Sequence, residues 1–140
     1  MRRTDETVFQ EQKTMTERKE LGNRGEYEAV LHLLHHSYHI LARNWRAGHL
    51  ELDIVAEYWG EIVFVEVKTR SNEDFMPAQF AVTPHQQRNL QAAARMFLAD
   101  HGLQERPYRF DLITVVGTER PFEITHYKRV FRKPESHWTY

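Results

Sequence analysis

Apolar positions recur at helical spacing from Leu21 to about Ser37. At 100° per residue Ala29, Val30, Leu33 and Leu34 cluster on one side, with Leu31 at the margin. Glu26 falls inside that arc, because Ala29, Val30 and Leu33 are its i+3, i+4 and i+7 neighbours. His39 to Trp45 reads as a first strand ending in a turn through Gly48. From Leu50 to Arg70 two strand-like runs follow, separated at Trp59-Gly60. The second is apolar on both faces, with Ile62 and Phe64 on one and Val63, Val65 and Val67 on the other, as in a central strand. Thr83, Pro84 and Gln86 spell the start of a second helix with a capping box. Its stripe is Leu90, Ala93, Ala94, Phe97 and Leu98, and His101-Gly102 ends it. Tyr108 to Val116 then reads as a strand in which Asp111 shares a face with Ile113 and Val115, and Phe122 to Tyr127 as a last one. Helix, three strands, helix, two strands predicts an α/β fold, a mixed sheet with flanking helices.

Charge interrupts this pattern where it is least affordable. Glu51 and Asp53 share a face of one strand, and Glu66 and Lys68 a face of the next. A two-residue loop at Trp59-Gly60 pairs Tyr58 with Glu61, which sets Asp53 opposite Glu66 and Glu51 opposite Lys68. Two carboxylates about 4 Å apart repel by roughly 4 kcal/mol at an effective dielectric of 20. A proton, a lysine or a divalent cation must offset that repulsion.

Composition narrows the chemistry. A chain of 140 residues suits one domain with a single core. Cysteine is absent, which excludes disulfides, thiolate metal sites and thiol nucleophiles. No apolar run approaches the roughly 20 residues of a membrane helix, and the N-terminus lacks the apolar core of a signal peptide, so a cytoplasmic protein is expected. With a formal charge of −1, nucleic-acid contact would have to come from a local patch. Residues 1–20, with five basic and five acidic side chains, read as a polar, disordered arm, and Met15 stands as an alternative start. Residues 21–128 form the domain and 129–140 a basic and aromatic tail.

Several features have ordinary readings. His32, His35, His36 and His39 share helical spacing, but their mean direction opposes the apolar arc, which favours a solvated face over a metal cluster. For Glu26, capping is the alternative to a site role, with Asn23 as N-cap. Arg88 and Arg95 share a solvated helical face. The loop from Ser71 to Ala81 lies beside the charged pair, as a lid or a plain connection. The segment Lys128 to Lys133 suits a phosphate backbone but is short.

Asp53 followed by Glu66-x-Lys68 suits metal-assisted phosphodiester hydrolysis. Carboxylate oxygens hold Mg²⁺ or Mn²⁺, and Lys68 can orient or deprotonate a water. Glu26 could complete the site. A salt-bridged quartet of Glu51, Asp53, Glu66 and Lys68 at a sheet edge is the structural alternative.

Six motifs give the chain a family likeness: Gly22-Asn23-Arg24-Gly25-Glu26, Asn44-Trp45-Arg46, Glu51-Leu52-Asp53-Ile54-Val55-Ala56, Phe64-Val65-Glu66-Val67-Lys68-Thr69-Arg70, Ala81-Val82-Thr83-Pro84 and Arg109-Phe110-Asp111. On these the chain resembles the YraN family of small bacterial proteins, related to Holliday junction resolvases within the restriction-endonuclease-like superfamily. The resemblance implies a restriction-endonuclease-like mixed β-sheet flanked by α-helices. It implies catalysis by Glu26, Asp53, Glu66 and Lys68, with Mg²⁺ (or Mn²⁺) on Asp53, Glu66 and Glu26. Branched or structured DNA is the implied substrate, with contacts from Gln87, Arg88, Arg46 and Arg70, and a homodimer is expected if resolvases are the guide. Gly48-His49-Leu50 before Glu51, and His85-Gln86 after Pro84, depart from the family pattern. The reading from another class is a nucleic-acid-binding module without turnover, and a third is a protein-interaction domain.

Overall fold

A computed structural model describes residues 5–72 and 81–132. Its elements are α1 (Asp5–His35), β1 (His39–Ala47), β2 (Leu50–Tyr58), β3 (Glu61–Arg70), α2 (Pro84–Asp100), β4 (Tyr108–Val116) and β5 (Glu123–Phe131). The five strands form one sheet in the order β1-β2-β3-β4-β5. Only β3 and β4 run parallel, joined by the crossover that contains α2, and the other neighbours are antiparallel. The predicted α/β mixed sheet with a helix layer on each face is therefore the fold.

Trp59 and Gly60 both take positive φ, 51° and 83°, as a two-residue hairpin requires, and Tyr58 pairs with Glu61. β3 is buried on both faces. On one, Ile62 and Phe64 meet Leu90, Ala93, Ala94, Phe97 and Leu98 of α2. On the other, Val63 and Val65 meet Ala29, Val30 and Leu33 of α1. Leu34, expected in the apolar arc, is 52% exposed. Thr83 caps α2, its Oγ1 accepting from Gln86 N while Gln86 Oε1 accepts from Thr83 N.

Two boundaries differ from the sequence reading. α1 continues through the polar arm to Asp5, because Glu, Gln, Lys, Arg and Met favour helix without needing an apolar stripe. Asn23 is consequently inside the helix and caps nothing. β5 extends to Phe131, so Lys128 to Phe131 belong to the sheet: Phe131 stacks on Phe110 at 4.6 Å, and Arg129 pairs with Glu61. The rest of the tail, from Lys133 on, and residues 73–80 of the loop lie outside the described residues.

Candidate active site

The strands β2 and β3 keep strict register only as far as Ile54 and Val65. Beyond this point alternation fails. Leu52 packs on the α2 side and Ile54, two residues on, packs on the α1 side. The irregularity lies at Asp53. Asn44, at the same level of β1, takes φ 50°. Asp53 Oδ2 accepts a hydrogen bond from Val67 N at 2.9 Å, so a side chain serves the amide where the ladder ends.

Glu66 lies behind Asp53, to which it is hydrogen-bonded, and Lys68 Nζ stands 3.5 Å from Glu66 Oε1. Both are well shielded, with side chains 20% and 16% exposed. Burial, then the Asp53 charge, pushes Glu66 up to about 7, with Lys68 opposing. Asp53 is raised too, mainly by burial, against the pull of the Val67 amide. Both acids hold a proton more tightly than usual, and a proton between them, together with Lys68, would relieve the repulsion inferred from the sequence.

Glu26 approaches from α1. Burial and then the Asp53 charge raise its pKa, while Arg43 and a hydrogen bond from Asn44 lower it. Its Oε1 is buried with no hydrogen-bond partner among the described residues, an expensive state for a carboxylate oxygen. Gly25, the preceding residue, lets α1 approach β3 closely: a Cβ there would lie 2.0 Å from Thr69 Oγ1.

A cleft of about 830 Å³ opens at this end of the sheet. Glu26, Glu51, Asp53 and Lys68 line it, with Arg18 and Lys19 on the α1 side and Arg46 and Arg70 on the strand side. Glu66 is not among its lining residues. Gln87 and Arg88 are not among its lining residues, and the Gln87 amide donates to Val82 O. Glu51 does not pair with Lys68 as the extended register suggested. It meets exposed Arg46 at 3.5 Å, because Arg46 is its β1 partner and the ladder that would bring Lys68 across has ended.

Carboxylate oxygens suit a hard divalent cation by type. Glu26 Oε1 supplies an unsatisfied oxygen, so the residues fit such an ion. They are not yet gathered around one: among the described residues no three carboxylates or imidazoles stand together as a ligand set.

A second charged group, which the sequence reading missed, occupies the other end of β3 and β4. Asp111, fully buried, accepts from Arg109 Nε at 3.1 Å, Arg129 N at 3.0 Å and His126 Nε2 at 2.8 Å. Arg109 also donates to Glu61 Oε1 and to the Tyr38 hydroxyl. Burial works to raise the Asp111 pKa, but these donors outweigh it and hold it low. Asp111 on a core-facing strand position was the available signal. His32 lies against His126 and is half-buried, which pushes its pKa down to about 4, whereas His35, His36 and His39 are exposed.

An α/β protein with a five-stranded mixed sheet and a cleft of carboxylates at its end is thus defined. A family model described as "Uncharacterised protein family UPF0102" matches residues 25–115. The chain belongs to this family, the YraN family. It is 48% identical over 120 residues to a UPF0102 protein of Bacteroides fragilis, covering 86% of this chain and 98% of the relative. A UPF0102 protein of Bacteroides thetaiotaomicron is 47% identical over the same shares. One from Geotalea uraniireducens is 43% identical over 81% of this chain and 90% of its own. Among the described residues no helix is long and apolar enough to cross a membrane.

Proposed function

We propose that the protein is a restriction-endonuclease-like, metal-dependent nuclease that hydrolyses phosphodiester bonds in branched or structured DNA. The observation that carries this reading is the group at the end of β2 and β3: half-buried Asp53 against Glu66, Lys68 3.5 Å from Glu66, and a Glu26 Oε1 with no hydrogen-bond partner among the described residues beside them. Clustered, desolvated acids with raised pKa values are characteristic of sites that use them in chemistry.

Asp53, Glu66 and Glu26 would hold Mg²⁺ or Mn²⁺. When bound, such an ion polarises the phosphate and lowers the pKa of a coordinated water. Within the chain, Lys68 as an ammonium stabilises negative charge at the phosphate and orients the attacking water, and only its neutral amine could take that water's proton. Burial and the Asp53 charge hold the Glu66 proton more tightly than usual, and a cation held beside Asp53 would ease its release. The Val67 amide fixes Asp53 in orientation, and Asn44 does the same for one Glu26 oxygen.

One observation favours a second reading, a nucleic-acid-binding module without turnover. The carboxylates are engaged with Val67, Lys68 and each other instead of converging on one point.

Incubation with junction, flap, single-stranded and duplex DNA in Mg²⁺ or Mn²⁺ tests the nuclease reading. Cleavage that disappears in Glu66→Gln and Lys68→Ala is expected; cleavage persisting in both rules the site out. Calorimetric titration with Mn²⁺ separates the readings, since DNA affinity without metal binding selects the module.

A further inference from the structure

The cleft has two walls of like charge around a floor of opposite charge. On one wall Arg18 and Lys19 project from α1, exposed and turned to the same cavity as Glu26 and Asp53. On the other stand Arg46, from β1, and Arg70, from the end of β3. Arg46 is 73% exposed beside its ion-pair partner Glu51, and Arg70 donates from Nη1 to Thr69 O. The helix docks on the sheet through Gly25, Ala29, Val30 and Leu33, and Arg18 and Lys19 stand outside that packing, exposed. From Gly25 back to Asp5, α1 runs on for about 30 Å at 1.5 Å per residue. The helix thus stands as a wall beside the carboxylates.

The carboxylate floor by itself repels a phosphate, so under the nuclease reading a phosphate sits there only together with the divalent cation that Glu26 and Asp53 would hold. The basic side chains on both walls then suit further phosphates to either side, which a single terminal phosphate would not supply. We infer that Arg18 and Lys19 bind the sugar-phosphate backbone on one side of the reacting phosphate and Arg46 and Arg70 on the other, so that the site takes internal phosphodiesters of a DNA strand. This inference rests on the nuclease reading of the same cleft and adds the substrate's direction across it. It also gives the polar N-terminal half of α1 a task in strand binding.

The test uses the full chain in a Lys68→Ala background with Mg²⁺, so that the strand stays whole. Fluorescence anisotropy measures binding of a labelled single-stranded DNA of 20 nucleotides and of a labelled dinucleotide across a salt series. The long strand should bind at least about 100-fold more tightly than the dinucleotide. Each phosphate contact to a single strand contributes about 0.7 to the salt slope, so Arg18→Ala with Lys19→Ala should lower it by about 1.4. A loss of at least about tenfold in affinity should accompany this change at about 0.1 M salt. Arg18→Lys should keep most of the affinity, because it keeps the charge. Mn²⁺ titration of the double variant should match the parent, which shows the carboxylate floor intact. An unchanged slope, or equal affinity for the dinucleotide, overturns the inference while leaving the nuclease reading standing. Absence of any DNA binding by the parent overturns both.

Discussion

Gly25 of α1 and Thr69 of β3 meet so closely that a methyl group on Gly25 would overlap the Thr69 side chain, 2.0 Å from Oγ1 and 2.6 Å from Cγ2. The contact fixes how near α1 comes to the sheet, and Glu26 is the next residue. Gly25→Ala must push the helix outward, and overpacking of this kind typically costs about 1–3 kcal/mol. Thermal denaturation should show a lower Tm for Gly25→Ala, partly restored by adding Thr69→Ala. An unchanged Tm would show that the helix does not rest on this contact.

A proton shared by Asp53 and Glu66 predicts a pH signature. Glu66 keeps its proton in the folded chain up to about 7, whereas the unfolded chain releases it near 4.5. Between these values the folded state binds more protons, so the Glu66 contribution favours folding at low pH and is lost as pH rises toward about 7. A shift of this size corresponds to about 3 kcal/mol as an order of magnitude. His32, pushed down to about 4, acts in the opposite sense, losing stability as pH falls below 6.5. The difference between wild type and Glu66→Gln isolates the first effect. In chelator, urea midpoints should nearly coincide at pH 4.5 and favour Glu66→Gln at pH 7.5. A pH-independent difference refutes the shared proton.

Lys68→Ala removes the cation that holds the Glu66 pKa down, so Glu66 should titrate higher than in wild type. Carboxyl-labelled NMR reads this directly. Under the proposed function, cleavage should fall by about 10²–10⁴-fold, the range for loss of a proton-transfer group. A Glu66 titration that does not move would show the 3.5 Å pair to be electrostatically idle.

Arg109 is 8% exposed and binds Asp111, Glu61 and Tyr38 together. Arg109→Met leaves Asp111 charged in the core with one strong donor fewer. Breaking a buried pair in this way costs about 3–5 kcal/mol. Urea denaturation should show the loss, whereas DNA binding per folded molecule stays unchanged, because this group lies at the opposite end of β3 from the cleft. A loss under about 1 kcal/mol would mean that His126 and Arg129 suffice to hold Asp111.

The features readable from the sequence are those set by neighbours along the chain. Trp59-Gly60, Thr83-Pro84-x-Gln86 and the two-faced run from Ile62 to Val67 each carry their geometry locally, and each element appears as expected. The pairing of Asp53 opposite Glu66 that the hairpin implies is not in the ladder, which ends at Ile54 and Val65, although the two acids do interact. What escaped depends on backbone irregularity or distance. Strict alternation cannot reveal the slip at Asp53 or the left-handed Asn44, so the partner of Glu51 came out as Lys68 and not Arg46. Tyr38 and Arg109 lie far apart in sequence, and no periodicity links them to His126. The helix of residues 5–20 has no apolar stripe, so hydrophobic periodicity does not mark it.

The hydrogen bond from Val67 N to Asp53 Oδ2 has a further consequence. An amide inside a ladder keeps its acceptor whatever happens to nearby side chains, but this one depends on a carboxylate that the site itself would recruit. Any cation that draws Oδ2 toward the cleft weakens the bond, and any proton on Asp53 weakens it as well. The Val67 amide is therefore a native sensor of the charge state of the cleft, legible as one peak in a spectrum without a label or a substrate.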